Sequence, residues 1–261
     1  MKYRNIIAAA LLLALFSGST ESLMAQRKAF NQENLSHYDH KPYHFGFSLG
    51  FNKMNFSLKP VESLYELNES TTDYADFGPL YTIQPESELG FHIGIVSNLK
   101  ISPVFDLRFV PTLAFGDRGI AYEYQRQNST TNNEPGIVRQ LFEATTIDFP
   151  LHIKYKSVRI SNARAYMLGG VKFSTDLSSN QNKDGSDEGG IIYSRTAKND
   201  FHYELGLGFD YYFQFFKFST EVKASFGMRN LFMPGETTSP IFNNSIDRLN
   251  SKVIMVSFLF E

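Results

Sequence analysis

The feature that most constrains this chain is a two-residue rhythm that returns along nearly its whole length. From Phe45, the apolar Phe45, Phe47, Leu49 and Phe51 alternate with Gly46, Ser48, Gly50 and Asn52. Successive side chains of a strand point to opposite faces, so this stretch has one aromatic and aliphatic face and one small, polar face. The same alternation recurs over Leu89–Ile95, Phe105–Phe115, Ile147–Tyr155, Phe201–Phe213, Phe216–Phe226 and Ile254–Phe260. A further strand is expected around Tyr166–Phe173, where Gly169 and Gly170 blur the pattern and leave its faces unassigned. Eight strands result, and no amphipathic helix pattern competes with them. After Lys53 the apolar set changes parity to Met54, Phe56 and Leu58, which predicts a bulge near Asn52–Lys53.

The connections decide what such strands build. Residues 59–88, 125–142, 178–199 and 232–250 are long and polar, whereas the joins near 98–103, 157–163 and 213–216 are short. A soluble sandwich has no reason to alternate long with short. A membrane barrel does, with short turns on the periplasmic side and long loops outside; a soluble lipocalin-like barrel is the alternative. Strands of ten residues suit a tilted membrane crossing, and closure pairs every backbone group, as lipid requires. The 25 Phe and 14 Tyr then supply a lipid-facing surface with interfacial belts. The expected fold is all-β: an eight-stranded antiparallel up-and-down transmembrane β-barrel. Its inward face carries Asp106, Arg108, Asp148, His152, Lys154, Glu204, Asp210, Glu221, Lys223 and Arg229. An eight-stranded interior is only wide enough for its own side chains, so these charges should pair into a plugged polar core rather than line a conducting pore.

The N-terminus has the shape of a secretory signal peptide: Lys2 and Arg4, an apolar run from Ile6 to Phe16, small residues at Ser17–Ser19, and a cut after Ala25. The expected layout is signal peptide 1–25, periplasmic N-terminal segment 26–42 and outer-membrane β-barrel 43–261, in the outer membrane of a Gram-negative bacterium. Outer-membrane lipid is the first expected partner. With 25 Lys+Arg against 27 Asp+Glu, the net charge of −2 offers no basic excess for nucleic acid. The absence of cysteine removes disulfides, thiolate metal sites and a thiol nucleophile. Metalloprotease, phosphate-loop and nucleophilic-elbow motifs are missing. Asp184 and Asp187 resemble a calcium loop in composition, but Lys183 and the short span spoil the ligand spacing. His92, His152 and His202 fall at inward positions, where hydrogen-bonded filling is the ordinary role of histidine. No catalytic, cofactor-binding or metal-binding residue, no cofactor and no small-molecule substrate is therefore assigned.

The opening stretch His37-Tyr38-Asp39-His40-Lys41-Pro42-Tyr43-His44-Phe45-Gly46-Phe47-Ser48-Leu49-Gly50-Phe51-Asn52 resembles the PorT family, outer-membrane β-barrel proteins of the type IX secretion system. The resemblance extends through Ile147-Asp148-Phe149-Pro150-Leu151 with Lys154-Tyr155, Arg164-Ala165-Tyr166 with Gly169-Gly170, and Lys217–Lys223 followed by Gly227 and Asn230-Leu231. It departs at the last residue, where Glu261 follows Phe260 in place of a terminal aromatic. The resemblance implies a non-enzymatic part in carrying cargo proteins across the outer membrane, beside other type IX secretion components, and no catalytic residues. A structural or adhesive barrel and an outer-membrane lipid enzyme are the alternatives.

Overall fold

The structure, a computed structural model, describes residues 33–62, 64, 80–124, 136–179, 195–233 and 244–261; the leader-like segment and the Asp184–Asp187 loop lie outside the described residues. Its strands are β1 (Tyr43–Pro60), β2 (Leu80–Ser87), β3 (Leu89–Lys100), β4 (Phe105–Phe109), β5 (Thr112–Tyr124), β6 (Gly136–Lys156), β7 (Ala163–Asp176), β8 (Arg195–Thr196), β9 (Asn199–Tyr212), β10 (Lys217–Gly227), β11 (Phe232–Met233) and β12 (Ile246–Phe260). β2 with β3, and β4 with β5, are single barrel strands interrupted at Glu88 and at Val110–Pro111. The ladder runs β1-β12-β10-β9-β7-β6-β4-β3, and β3 pairs back onto β1. An eight-stranded antiparallel barrel is closed in this way, without a free edge in the apolar zone. The short turns and both ends of the barrel chain, Tyr43 and Phe260, lie at one rim. β8 and β11 form a two-residue ladder at the other.

The faces follow the expected parity through the apolar zone. Phe201, Tyr203, Leu205, Leu207, Phe209 and Tyr211 are exposed on the outer wall, while His202, Glu204 and Asp210 are buried inside. β7 joins the same scheme: Tyr166, Leu168 and Lys172 point in, and Met167 and Val171 point out. Two aromatic girdles ring the outer wall. Near the turn rim, Phe260 packs on Phe47 and Phe218 with ring centroids 4.9 and 5.1 Å apart. Toward the loop rim, Phe91 stacks on Phe115 at 4.7 Å and Phe173 packs on Phe201 at 5.1 Å.

The expected bulge at Asn52–Lys53 is absent. β1 keeps a continuous register, with Asn52 opposite Met255, Lys53 opposite Ile254 and Met54 opposite Val253, and shifts only between Lys59 and Pro60. What changes at Lys53 is the chemistry of the two faces, not the backbone. Above this level Lys53, Ser57 and Lys59 point out, and Met54 and Phe56 point in. Phe56, Leu80, Ile83, Ile120, Tyr122, Phe142, Ile246 and Leu249 build an apolar core inside the barrel, packed against Leu231 and Ala197 beneath the β8–β11 ladder. The long connections are accordingly shorter than expected, because 80–87, 136–142 and 246–250 are strand. Beyond the apolar zone the outer wall mixes Lys53, Ser57, Lys59, Arg139 and Glu143 with exposed Ile137 and Leu141, around this apolar core.

Candidate functional site

Nine of the ten expected inward charges are buried in the lumen; Arg229 is the exception. It lies beyond β10, exposed, with its backbone N–H donating to Asp200 at 3.2 Å. The alternation that placed it inside ends at Gly227 with the strand.

The lumen packs in layers. Nearest the turn rim, Arg108 is wholly buried and donates from Nη1 to Glu221 Oε2 at 3.0 Å, from Nη2 to Glu261 Oε1 at 3.1 Å, and from Nε to Asn98 Oδ1 at 3.2 Å. Tyr166 donates its hydroxyl to the same Glu221 oxygen at 2.8 Å. Lys154 grips Asp210 at 2.8 and 3.0 Å and lies 3.6 Å from the centroid of the Tyr166 ring. Lys156 pairs with Asp106 at 2.5 Å. In the next layer Lys172 lies between Asp148, at 3.0 Å, and Glu204, at 3.3 Å. His152 Nε2 is 2.6 Å from Glu204. Higher still, Arg118 meets Asp176 at 3.2 Å. Opposite charges buried together hold one another, since either alone carries the full cost of leaving water. A cavity of about 20 Å³ among Asp148, Lys172, Asp200 and His202 has room for a single water.

The three histidines do not converge. His92 Nε2 lies 2.9 Å from Ser257 Oγ, His152 serves Glu204, and His202 lies 3.2 Å from Asp200. Among the described residues, no three His, Cys, Asp or Glu are arranged to hold a metal. The sequence reading missed Lys172, Lys217, Arg118 and Asp200 as lumen charges. Lys172 was within reach of it, being two residues from Gly170 on the unassigned strand.

The turn rim is closed by residues that precede the barrel. A single 3₁₀ turn, Tyr38–His40, lies across the mouth. Asp39 accepts both guanidinium nitrogens of Arg164, at 3.1 and 2.6 Å, and its backbone carbonyl accepts from Lys100. Tyr38 stacks on His44 with centroids 3.8 Å apart and donates its hydroxyl to Glu261 at 3.0 Å. Lys217 completes the knot, 2.9 Å from Glu261 and 4.8 Å from the Tyr38 ring. Asn34 bonds to Tyr212 and Asn162, and Arg159 covers the Tyr212 ring at 3.8 Å. Burial pushes the Asp39 carboxyl up, but the Arg164 hydrogen bond and the positive charges of Arg164, Lys156 and Arg159 outweigh it and hold Asp39 below the usual range. Burial and the Glu261 carboxylate push the Tyr38 phenol up, so it remains a donor. The terminal Glu261 is thus an anchor for the cap: its side chain is fully buried between Arg108, Lys217 and Tyr38.

A closed ring of strands, an apolar outer band between aromatic girdles and a polar, charge-paired interior define a transmembrane β-barrel of the outer membrane. The chain belongs to the family described as outer membrane protein beta-barrel domain, whose model matches residues 24–233. Two solved structures are similar to it at 12% identity. The outer membrane protein OprG from Pseudomonas aeruginosa has a TM-score of 0.41, with 83% of this chain and 92% of that one covered. The outer membrane protease OmpT from Escherichia coli has a TM-score of 0.40, with 84% and 95% covered. Neither likeness is close enough to carry a function across. No curated protein matches the chain.

Proposed function

We propose that this barrel is a non-enzymatic accessory of type IX protein secretion, assisting the export of cargo proteins through its surfaces rather than its lumen. One observation carries the reading. Three residues of the opening stretch His37–Asn52 that carries the resemblance to the PorT family, Tyr38, Asp39 and His44, close the mouth, so the motif has a structural use distinct from merely starting a strand. A lumen filled by paired charges leaves no passage for a folded protein. Work therefore falls to the capped periplasmic rim, the outer loops and the lipid-facing wall, where a rigid scaffold presents variable surface. The chain is exported on its leader, cleaved after Ala25, and contacts other type IX secretion components.

Deleting the gene and following a secreted cargo tests this. The cargo should accumulate inside the cell while outer-membrane integrity is kept. Cargo reaching the surface and medium at wild-type levels would overturn the reading and leave a structural or adhesive barrel as the better account.

A further inference from the structure

One row of outward residues crosses six strands and ends on a charge. Register pairs place Ile153 beside Gly169, Gly169 beside Leu205, Leu205 beside Ala224, Ala224 beside Ile254, and Ile254 beside Lys53. Gly169 and Ala224 are small where their neighbours are large, so the wall is hollowed there. The result is an apolar depression of about 840 Å³ whose outward lining includes Tyr155, Met167, Leu205, Leu207 and Ile254. Lys53 stands at one end, and Lys252 stands two residues above Ile254, 6.0 Å from the ring of Phe226 in the upper girdle.

These two lysines differ from Lys59, the next outward lysine on β1. Lys53 and Lys252 are exposed diagonal neighbours across the β1–β12 ladder, since Lys53 faces Ile254 and Lys252 faces Asn55. Among the described residues neither has an acid within ion-pair distance, whereas Lys59, higher on the same strand, pairs with Asp247 at 3.2 Å. Like charges on adjacent strand positions repel unless an anion lies between them. On the β5–β6 side Asp117 and Glu143 lie opposite each other in register and Glu86 is paired with Arg139 at 3.0 Å, while Glu88 adjoins Leu89, the β3 partner of Lys53. The two lysines adjoin the depression through Ile254, which lines it.

We propose that this flank is a binding site for a phosphorylated lipid of the outer leaflet, with an acyl chain in the depression between Gly169 and Ala224 and the phosphate between Lys53 and Lys252. An apolar hollow alone would take any chain. The cations at its upper end, where the apolar band stops, select a headgroup carrying negative charge.

The test uses the full-length barrel in phosphatidylcholine vesicles, with trace spin-labelled phosphatidic acid or spin-labelled phosphatidylcholine, reading the motionally restricted lipid fraction. The wild type should prefer phosphatidic acid, and the preference should fall about fivefold for each lysine removed. Lys53→Gln with Lys252→Gln should erase it, while Lys59→Gln with Arg248→Gln, equally basic but above the band, should keep it. Gly169→Leu should lower restriction of both lipids by filling the hollow; its ideal Cβ meets nothing nearer than Leu205 Cδ2 at 3.4 Å, so the barrel should still fold. Excess inorganic phosphate should displace neither lipid. Equal binding of both lipids by the wild type, a preference surviving the Lys53/Lys252 change, equal loss in the Lys59/Arg248 variant, or displacement by free phosphate would each overturn the proposal.

Discussion

Arg108→Met removes the one cation shared by two carboxylates at the base of the lumen. In the folded barrel Arg108 and both partners are withdrawn from solvent, with side-chain exposures of 0% for Arg108, 2% for Glu221 and 0% for Glu261. Breaking a buried pair from one side costs on the order of 3–5 kcal/mol, because the partner's charge stays buried. Here each carboxylate keeps a second cation: Glu221 has Lys223 at 3.3 Å and Glu261 has Lys217 at 2.9 Å. That places the expected loss near the lower bound, about 3 kcal/mol. It is a large share of the roughly 5–15 kcal/mol that typically holds a domain folded. A urea titration of the protein refolded in vesicles, read by heat-modifiable gel mobility, measures it. The midpoint should fall at unchanged slope. Glu221→Gln should partly rescue Arg108→Met, with a coupling of about 0.5–3 kcal/mol in the double-mutant cycle. A loss under about 1 kcal/mol with no coupling would mean that the lumen is hydrated and screened, and would refute the dry, paired core.

Leu207→Arg puts a charge on the outer wall at a residue now 62% exposed; in the same titration it should cost roughly 2–4 kcal/mol, and wild-type stability would invert the faces. Gly208→Ala should destabilise more than Gly206→Ala: its Cβ would fall 2.3 Å from Tyr166 Cζ, in a ring held by Glu221 and Lys154, whereas that of Gly206 meets the flexible Lys223 Cγ at 2.8 Å. Equal unfolding midpoints would contradict that ranking. Asp39 titrates below its ordinary value of 3.8, so its hold on Arg164 is complete above that value and is lost as pH falls below it. The protection factor for hydrogen exchange at the Lys41 amide, bonded to the Tyr38 carbonyl at 3.2 Å, should stay high at neutral pH and fall only in that acid range, and Asp39→Asn should lower it at neutral pH. Protection indifferent to both changes would show that the ion pair does not hold the cap.

The apolar zone was legible because lipid forces a simple rule. Phe201 to Tyr211 must alternate with His202 to Asp210, and the structure keeps that alternation residue for residue. The upper barrel was not, because the same rule runs backwards there. Met54, Phe56 and Leu58 looked like an outward set displaced by a bulge, when the strand was straight and its surroundings had changed from lipid to water. The segment Gly136–Phe142 reads as loop for the same reason: its outward Arg139 faces water. Pairing partners were beyond period-two logic, which assigns faces but not neighbours. Glu221 finds its partners on other strands, in Arg108 and Tyr166. The partner found for Lys223 is Glu221 on its own strand. The cap was invisible for a different reason: Tyr38 and Asp39 lie in no regular pattern, and their partners, Arg164 and Glu261, are more than a hundred residues away in sequence.

The central claim is that the barrel is closed to ions along its axis and acts through its surfaces. Conductance of the purified protein in a planar bilayer tests it most directly. A lumen packed by Arg108, Lys154, Lys172 and their acids, and capped by Tyr38 and Asp39, should pass no steady current at any applied voltage. A large, stable, voltage-independent conductance would contradict it.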